Sequence, residues 1–391
     1  MSVKLISREK VLSTLSNPKN LLILWVVIGL FSGVIKYFHG PVSGYNNYLI
    51  FRGFFFHFFE QLPLYIQYPQ EYFDQSYYLP PFAFIIAPFA ILPIFIGLPL
   101  WVGANSAFLA YAINKLKINI KQKAIIFILC AHELMTAAFM QQFNISIAAI
   151  LILSYAYIEE GKEVKATFFI LAGTFVKLYG IVGCAFFLFS RNKIKFIFSF
   201  IGWSLFFLTF PMLFTSVDYI LEQYKSWFTE ISLKHNKNMY APHQNISLLG
   251  MIRRITHHTY SDFPIIATGA ILFAAPYLRF KSWASKEYRL LYLASALIFT
   301  VIFSSSSESS TYIIAIIGAV IWFIIKKKQS TWDWILLVLV LVITSFSPSD
   351  LFPDYLQKNY IVPYSLKALP CVLVWFTIVW EQLTKKFDYA D

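Results

Sequence analysis

An all-α, polytopic integral membrane protein with about twelve transmembrane helices is the fold the sequence predicts, and three observations predict it. The 391 residues are 58% hydrophobic and only 13% charged, more apolar surface than a soluble core of this size can hide. Apolar runs of roughly 16–20 residues, the length that crosses a hydrocarbon core, recur along the chain. Lys and Arg cluster in alternate loops between those runs, as they do in cytoplasmic loops of membrane proteins. That bias also accounts for the net charge of +12 without a nucleic-acid partner.

Taken in order, the candidate spans are 20–37, 97–114, 124–140, 144–158, 165–177, 179–190, 196–214, 264–280, 289–304, 310–325, 331–346 and 366–383. Residues 1–20 precede the first of these and read as a cytoplasmic lead-in to a retained helix, too polar for a cleaved signal peptide. One further apolar run, Phe82–Ile94, carries Pro88 and Pro93 and follows Pro80-Pro81. Proline breaks helix hydrogen bonding. If this run crossed, Lys115, Lys117, Lys121, Lys123 and most later basic loops would face outward, against the positive-inside rule. It is therefore expected to be a re-entrant or juxtamembrane helix in the first outer loop. Both termini are then cytoplasmic, and the chain is one integral domain over 1–391. Its long outer loops, 38–96 and 215–263, are expected to form the active site. Cys130, Cys184 and Cys371 fall within apolar runs and read as packing residues.

The first outer loop sets Glu71 and Asp74 among Tyr68, Tyr72, Phe73, Tyr77 and Tyr78. Aromatic faces are natural sugar platforms. On a helix the two acids, three residues apart, would share a face, and either would accept a proton from an attacking hydroxyl. The second loop concentrates Lys234, His235, Lys237, His243, Arg253, Arg254, His257 and His258 on a side otherwise poor in base. An anionic partner such as phosphate, or anionic headgroups, would explain these cations. A zinc site among the histidines lacks ligand spacing. Lys177 sits between two apolar runs of about a dozen residues, at the top of a short hairpin, and a charge there is a functional candidate or a snorkelling side chain. Glu308, among serines, is either a sugar contact or a helix cap. Gln142 and Asn144 belong to a polar outer turn whose amides suit sugar hydroxyls. His132-Glu133 lies within a span and is expected to be a structural polar contact with another helix.

These stretches resemble the GT-C membrane glycosyltransferases, and in particular glycosyltransferase family 87, the polyprenol-phosphate-mannose-dependent α-mannosyltransferase group. The resemblance rests on YYLPPFAFIIAPFAILP (77–93), QQFNIS (141–146), the Lys177 hairpin and HQNISLLGMIRR (243–254). It implies inverting transfer of a sugar, a hexose such as mannose, from a polyprenyl-phosphate donor to a glycan or glycolipid acceptor on the outer face of the cell (inner) membrane. An Asp early in the first loop usually serves as base. Here that position reads Tyr45-Asn46-Asn47-Tyr48, and Asn cannot take a proton at neutral pH. The role passes to Asp74, with Glu71 second, unless the alignment is offset or the chemistry is altered.

The expected site follows. Asp74 is general base, and Lys177, His243, Arg253 and Arg254 hold the donor phosphate. Asn47, Tyr78, Gln142, Asn144, Gln244, Asn245 and Glu308 contact sugar or acceptor. The donor is already an activated phosphodiester that releases polyprenyl phosphate, so no nucleotide or other cofactor is required, with a divalent metal left open. The partners are the lipid-linked donor, the acceptor and membrane lipid. A lipid-linked-oligosaccharide polymerase or ligase and a transporter or flippase are the alternatives.

Overall fold

The computed structural model describes residues 17–387 except 240, 242 and 259. The expected lead-in over 1–16 and the side chain of His235 lie outside the described residues. Every regular element among the described residues is helical. Helix α1 (Pro18–His39) starts on Asn17, whose side chain accepts the Lys19 N–H with Pro18 at the first position, a strong start signal. Next come α2 (Asn46–Phe59), α3 (Phe82–Ala90) and α4 (Ile94–Lys115). Then α5 (Ile120–Leu129), α6 (Ala131–Phe139), α7 (Asn144–Glu159) and α8 (Glu163–Val176) follow.

Helices α1 and α4 run antiparallel. Gly29 faces Val102 and Ser106, while Gly33 faces Leu98 and Pro99, where a Cβ would lie 2.6 Å from Pro99 Cα. His39 and Ile94 therefore lie at the same end of the bundle, and everything between leaves and returns there. Helix α3 has nine residues, about 13 Å at 1.5 Å per residue, less than half a hydrocarbon core. It is docked on α2, with Tyr48 OH donating to Phe89 O at 2.8 Å and Arg52 to Ala90 O at 3.0 Å.

Among the described residues four helical stretches are long and apolar enough to cross a membrane: Lys19–His39, Ile94–Lys115, Lys193–Leu213 and Leu366–Thr384. The bent pair α5–α6, angled by 47°, makes a fifth. The twelve crossings expected from the sequence are not established. The apolar runs Asn144–Glu159, Leu178–Phe189, Phe263–Leu278, Ser309–Ile325 and Thr331–Phe346 form helices of only 10–17 residues. Among them α7 is buried along nearly its whole length, so protein rather than lipid surrounds it.

The later helices are α9 (Lys193–Thr209), α10 (Val217–Asn238), α11 (Leu248–Thr256), α12 (Phe263–Ala274), α13 (Lys286–Ile302), α14 (Tyr312–Ile325), α15 (Thr331–Leu339) and α16 (Leu369–Thr384). The basic loops gather at one end of the bundle and are tied together there. Arg289 pairs with Glu159 at 2.6 Å, Lys326 bridges Asp333 and Glu381 at 2.6 and 2.5 Å, and Lys385 meets Glu287 at 2.9 Å. The aromatic first loop, α10 and the serine loop 304–310 occupy the other end, linked by the hydrogen bonds described below.

His132-Glu133 does contact another helical segment. Glu133 pairs with Lys367 at 3.0 Å and His132 Nδ1 meets Ser345 Oγ at 3.1 Å. The three cysteines are free, as packing residues would be.

The Lys177 hairpin depends on a backbone approach. After α8 the chain reverses at Lys177 into a 3-10 helix, Leu178–Phe189. Gly173 and Gly180 meet across the turn, where a Cβ on Gly180 would lie 2.7 Å from Gly173 Cα and overlap Thr174 N. Gly180→Ala is therefore expected to destabilise the protein by about 1–3 kcal/mol, the usual cost of overpacking. Thermal unfolding in detergent checks this; an unchanged midpoint would show that the hairpin tolerates separation.

Candidate active site

A cavity of about 490 Å³ opens between the first loop, the Lys177 hairpin, α10, α12, α13 and the serine loop. One stripe of α10 positions the first loop. The helix begins on Ser216, whose hydroxyl accepts the Tyr219 N–H. Tyr219, Gln223, Trp227, Glu230 and Lys234 then recur at spacings of three and four, which puts them on one face. Tyr219 OH donates to Leu62 O at 2.7 Å, and Gln223 Oε1 accepts the Leu64 N–H at 2.9 Å. Trp227 Nε1 donates to Tyr77 O at 2.9 Å, and Glu230 accepts from Gln75 at 2.7 Å. Lys234 Nζ lies 3.7 Å over the Tyr77 ring.

Asp74 lines the cavity. Its backbone sits at φ 68°, a left-handed conformation that Asp tolerates better than most residues. The preceding residue is clamped: Asn46 Nδ2 donates to Phe73 O at 2.7 Å, and Phe73 N–H donates to Asn46 Oδ1 at 2.8 Å. Glu71 does not share this face. Residues 68–74 are turns rather than helix, and Glu71 pairs with His57 at 3.2 Å. Asn47 and Tyr78 also line the cavity, with the Asn47 amide donating to Met140 O at 2.9 Å.

Lys177 also lines the cavity, with Nζ donating to Asn144 Oδ1 at 2.7 Å and 4.7 Å from the Tyr179 ring centroid. Asn144 is fully buried and also donates to Gln142 at 2.9 Å and to Ser310 at 3.0 Å. It carries Lys177 rather than touching the cavity. Gln142 reaches the cavity and donates to Glu308 at 2.7 Å. Glu308 is both cap and wall: it forms a capping box with Thr311 and lines the cavity.

Three of the expected phosphate ligands lie elsewhere. Arg253 is 2% exposed and bonds Asp262 at 2.5 Å with Tyr260 beneath it. Arg254 is used up as a strut, donating to Ser365 Oγ, to Ala241 O at 2.6 Å and to Gln244 O at 3.0 Å. His243 lines a separate, smaller cavity. Asn245 is buried and accepts from Ser247 at 2.7 Å, so only Gln244 of that pair lines the site.

The cation that sequence reasoning left out of the site is Lys234. It was visible only as part of a basic cluster, although the 219–223–227–230–234 spacing marks the face that carries it. Burial lowers its pKa, while Glu308 and then Asp74 pull it back up, so its charge is felt by both cavity carboxylates. Burial, then Asp74 and Glu230, raise the Tyr77 hydroxyl above its usual value, which keeps it protonated. Among the described residues no three His, Cys, Asp or Glu side chains gather to hold a metal ion.

Part of the wall is apolar, made by Leu178, Ile181, Val182, Ile266, Phe299 and Phe303. Leu178, Ile181 and Ile266 are 45%, 45% and 38% exposed, so this wall runs out to the surface. The cavity is amphiphilic: the carboxylates of Asp74 and Glu308 and the ammonium groups of Lys177 and Lys234 share it with a greasy exit.

The family model of glycosyltransferase family 87 matches residues 77–305, more than half of the chain. The match takes in Tyr78, Gln142, Lys177, Lys234 and Gln244; Asn47, Asp74 and Glu308 lie outside it. No curated protein and no solved structure matches. With an amphiphilic cavity inside a bundle of apolar helices and a family match over most of its lining, the chain belongs to glycosyltransferase family 87 and is a glycosyltransferase.

Proposed function

We propose that the protein transfers a sugar, a hexose such as mannose, from a polyprenyl-phosphate donor to a glycan or glycolipid acceptor. The observation that carries this reading is that Asp74, Lys177 and Lys234 share one cavity with an apolar wall that reaches the surface. The polyprenyl chain would lie along Leu178, Ile181 and Ile266, and its phosphate would meet the two lysines. An acceptor hydroxyl attacks the anomeric carbon and Asp74 takes its proton. The carbon–oxygen bond to phosphate breaks on the opposite face, so configuration inverts, and Lys177 and Lys234 stabilise the departing anion. Asn47, Tyr78, Gln142, Gln244 and Glu308 contact sugar or acceptor.

In this reading the whole chain is one membrane domain, with loops 38–96 and 215–263 supplying the site. The site faces outward across the cell membrane and both termini face the cytoplasm. The gathering of basic loops at the far end of the bundle supports that orientation.

The test is purified protein in lipid with a radiolabelled polyprenyl-phosphate hexose and a glycolipid acceptor. Release of polyprenyl phosphate with an inverted linkage is expected; turnover only with a polyprenyl-diphosphate donor would replace this reading with a polymerase or ligase.

A pH dependence follows from Lys234. Its lowered pKa means it loses its proton below the ordinary lysine range of about 10.4. Donor KM is expected to rise as pH climbs through that lowered value, and Lys234→Met should flatten this alkaline limb. The sign for stability is opposite. The unfolded chain binds the proton more tightly, so this group makes the fold more stable as pH rises. An alkaline loss of donor affinity without loss of melting temperature would separate the two. A limb unchanged by Lys234→Met would remove the lysine from the phosphate site.

A further inference from the structure

A second cavity, of about 230 Å³, lies behind the first. The two share a wall. Gln244 and Glu308 face the larger cavity, and their chain neighbours His243 and Ser309 face the smaller one. The wall is pinned by Ile246 N–H donating to Ser307 O at 2.8 Å and by Tyr312 OH donating to Ile246 O at 2.8 Å. From this we infer that the smaller cavity is a sugar-binding subsite, which takes one neutral pyranose ring of the acceptor glycan. The assignment to the acceptor rests on the transferase reading above; the sugar site itself does not.

Its lining decides the ligand class. Lys367, 3% exposed, is the charged group facing the cavity, but its ammonium has three donors and all are used. They go to Glu133 Oε1 at 3.0 Å, Ser309 O at 3.1 Å and Ser309 Oγ at 2.7 Å. With its charge matched by Glu133 and no donor to spare, Lys367 does not make an anion site. What remains free is neutral and mixed. Ser347 Oγ is buried, 1% exposed, and has no partner among the described residues, an unsatisfied polar group that a ligand hydroxyl would satisfy. Gln357 spends its N–H on Ser347 O at 2.8 Å, which leaves its carbonyl oxygen as an acceptor. Ser365 and Ser309 each accept from a cation, Arg254 and Lys367, so their hydroxyl protons can be donated.

Donors and acceptors interleaved in this way match the hydroxyls of a sugar, which both donate and accept. Ile246, Pro348, Ile361 and Val362 supply apolar surface for the C–H face of a ring. The volume is below the roughly 300 Å³ at which pockets for drug-sized ligands begin, which suits a single ring and leaves no room for a lipid-linked donor.

Photolabelling locates the site directly. Full-length protein in phosphatidylethanolamine and phosphatidylglycerol nanodiscs is exposed to diazirine-bearing methyl mannoside and methyl glucoside, with and without excess free methyl glycoside. Competable label on His243 or on residues 347–365 is expected. It should fall at least fivefold in Ser347→Leu, which fills the cavity, and in Gln357→Ala, which only removes an acceptor. If Ser347→Leu fails to fold, Gln357→Ala decides. Label confined to 74–78 and 227–234, label unchanged in the folded variants, or no competable label overturns the inference. Polyprenyl phosphate release by the wild type is measured in parallel. Its absence sinks the donor reading while a competable label at 347–365 stands as a sugar site.

Discussion

Asp74→Asn is expected to lower turnover by about 10²–10⁴-fold, the range that general bases supply, with the donor KM little changed. The amide keeps the shape of the side chain and the left-handed backbone but cannot take a proton. The Asn46 clamp on Phe73 is unaffected by the change, so the loop should hold its place. Glu71→Gln is the matched control. Glu71 pairs with His57 outside the cavity, and half-exposed pairs of this kind are worth about 1 kcal/mol or less. Its turnover should stay within about twofold of wild type. Asn46→Ala leaves the carboxylate and frees its support. Since a displacement of about 1 Å costs up to 10²-fold, an intermediate loss is expected there, with no change in donor KM. Polyprenyl phosphate release and donor KM are the two measurements. Full turnover by Asp74→Asn would remove Asp74 from the chemistry and return attention to Glu308, the other carboxylate lining the same cavity.

Local chemistry made much of this site legible in the sequence. A first loop rich in Tyr and Phe, a lysine at the head of two short apolar runs and a polar turn at 141–144 all meet in one cavity. What the sequence hid was direction. Glu71 and Asp74 are three residues apart, yet the chain turns at 68–74 and sends one carboxylate to His57 and the other to the cavity. Arg253 and Arg254 look like phosphate ligands in a basic stretch. Their partners Asp262 and Ser365 are far enough along the chain that only folding shows they are occupied. Lys234 was passed over because hydrophobicity, the strongest periodic signal in a membrane chain, is weak on a polar helix such as α10. The number of crossings is not settled by composition either: a run such as Asn144–Glu159 is buried by protein along nearly its whole length, and apolarity alone does not separate that from contact with lipid.

Lys177→Ala is expected to lower turnover by about 10²–10³-fold, the cost of deleting one donor to a charge that develops in a transition state, and to raise donor KM as well. The contrast with Lys367 explains why. Both lysines are held within the bundle, but Lys367 has all three donors engaged. Lys177 Nζ makes one hydrogen bond among the described residues, to Asn144 Oδ1 at 2.7 Å, which leaves two donors for phosphate oxygens. That single bond is also what aims it: Asn144 is fixed by Gln142 and Ser310, and the Gly173–Gly180 contact sets the height of the turn. Asn144→Leu should therefore act through Lys177, lowering turnover while Lys177→Ala/Asn144→Leu is no worse than Lys177→Ala alone. Lys177→Arg should not restore full rate, because a guanidinium is broader and cannot keep the Asn144 bond while presenting its fork to phosphate. Additive losses in the double variant would mean that Asn144 acts on its own account. A Lys177→Ala enzyme with normal donor KM and turnover would leave the leaving phosphate to Lys234 alone.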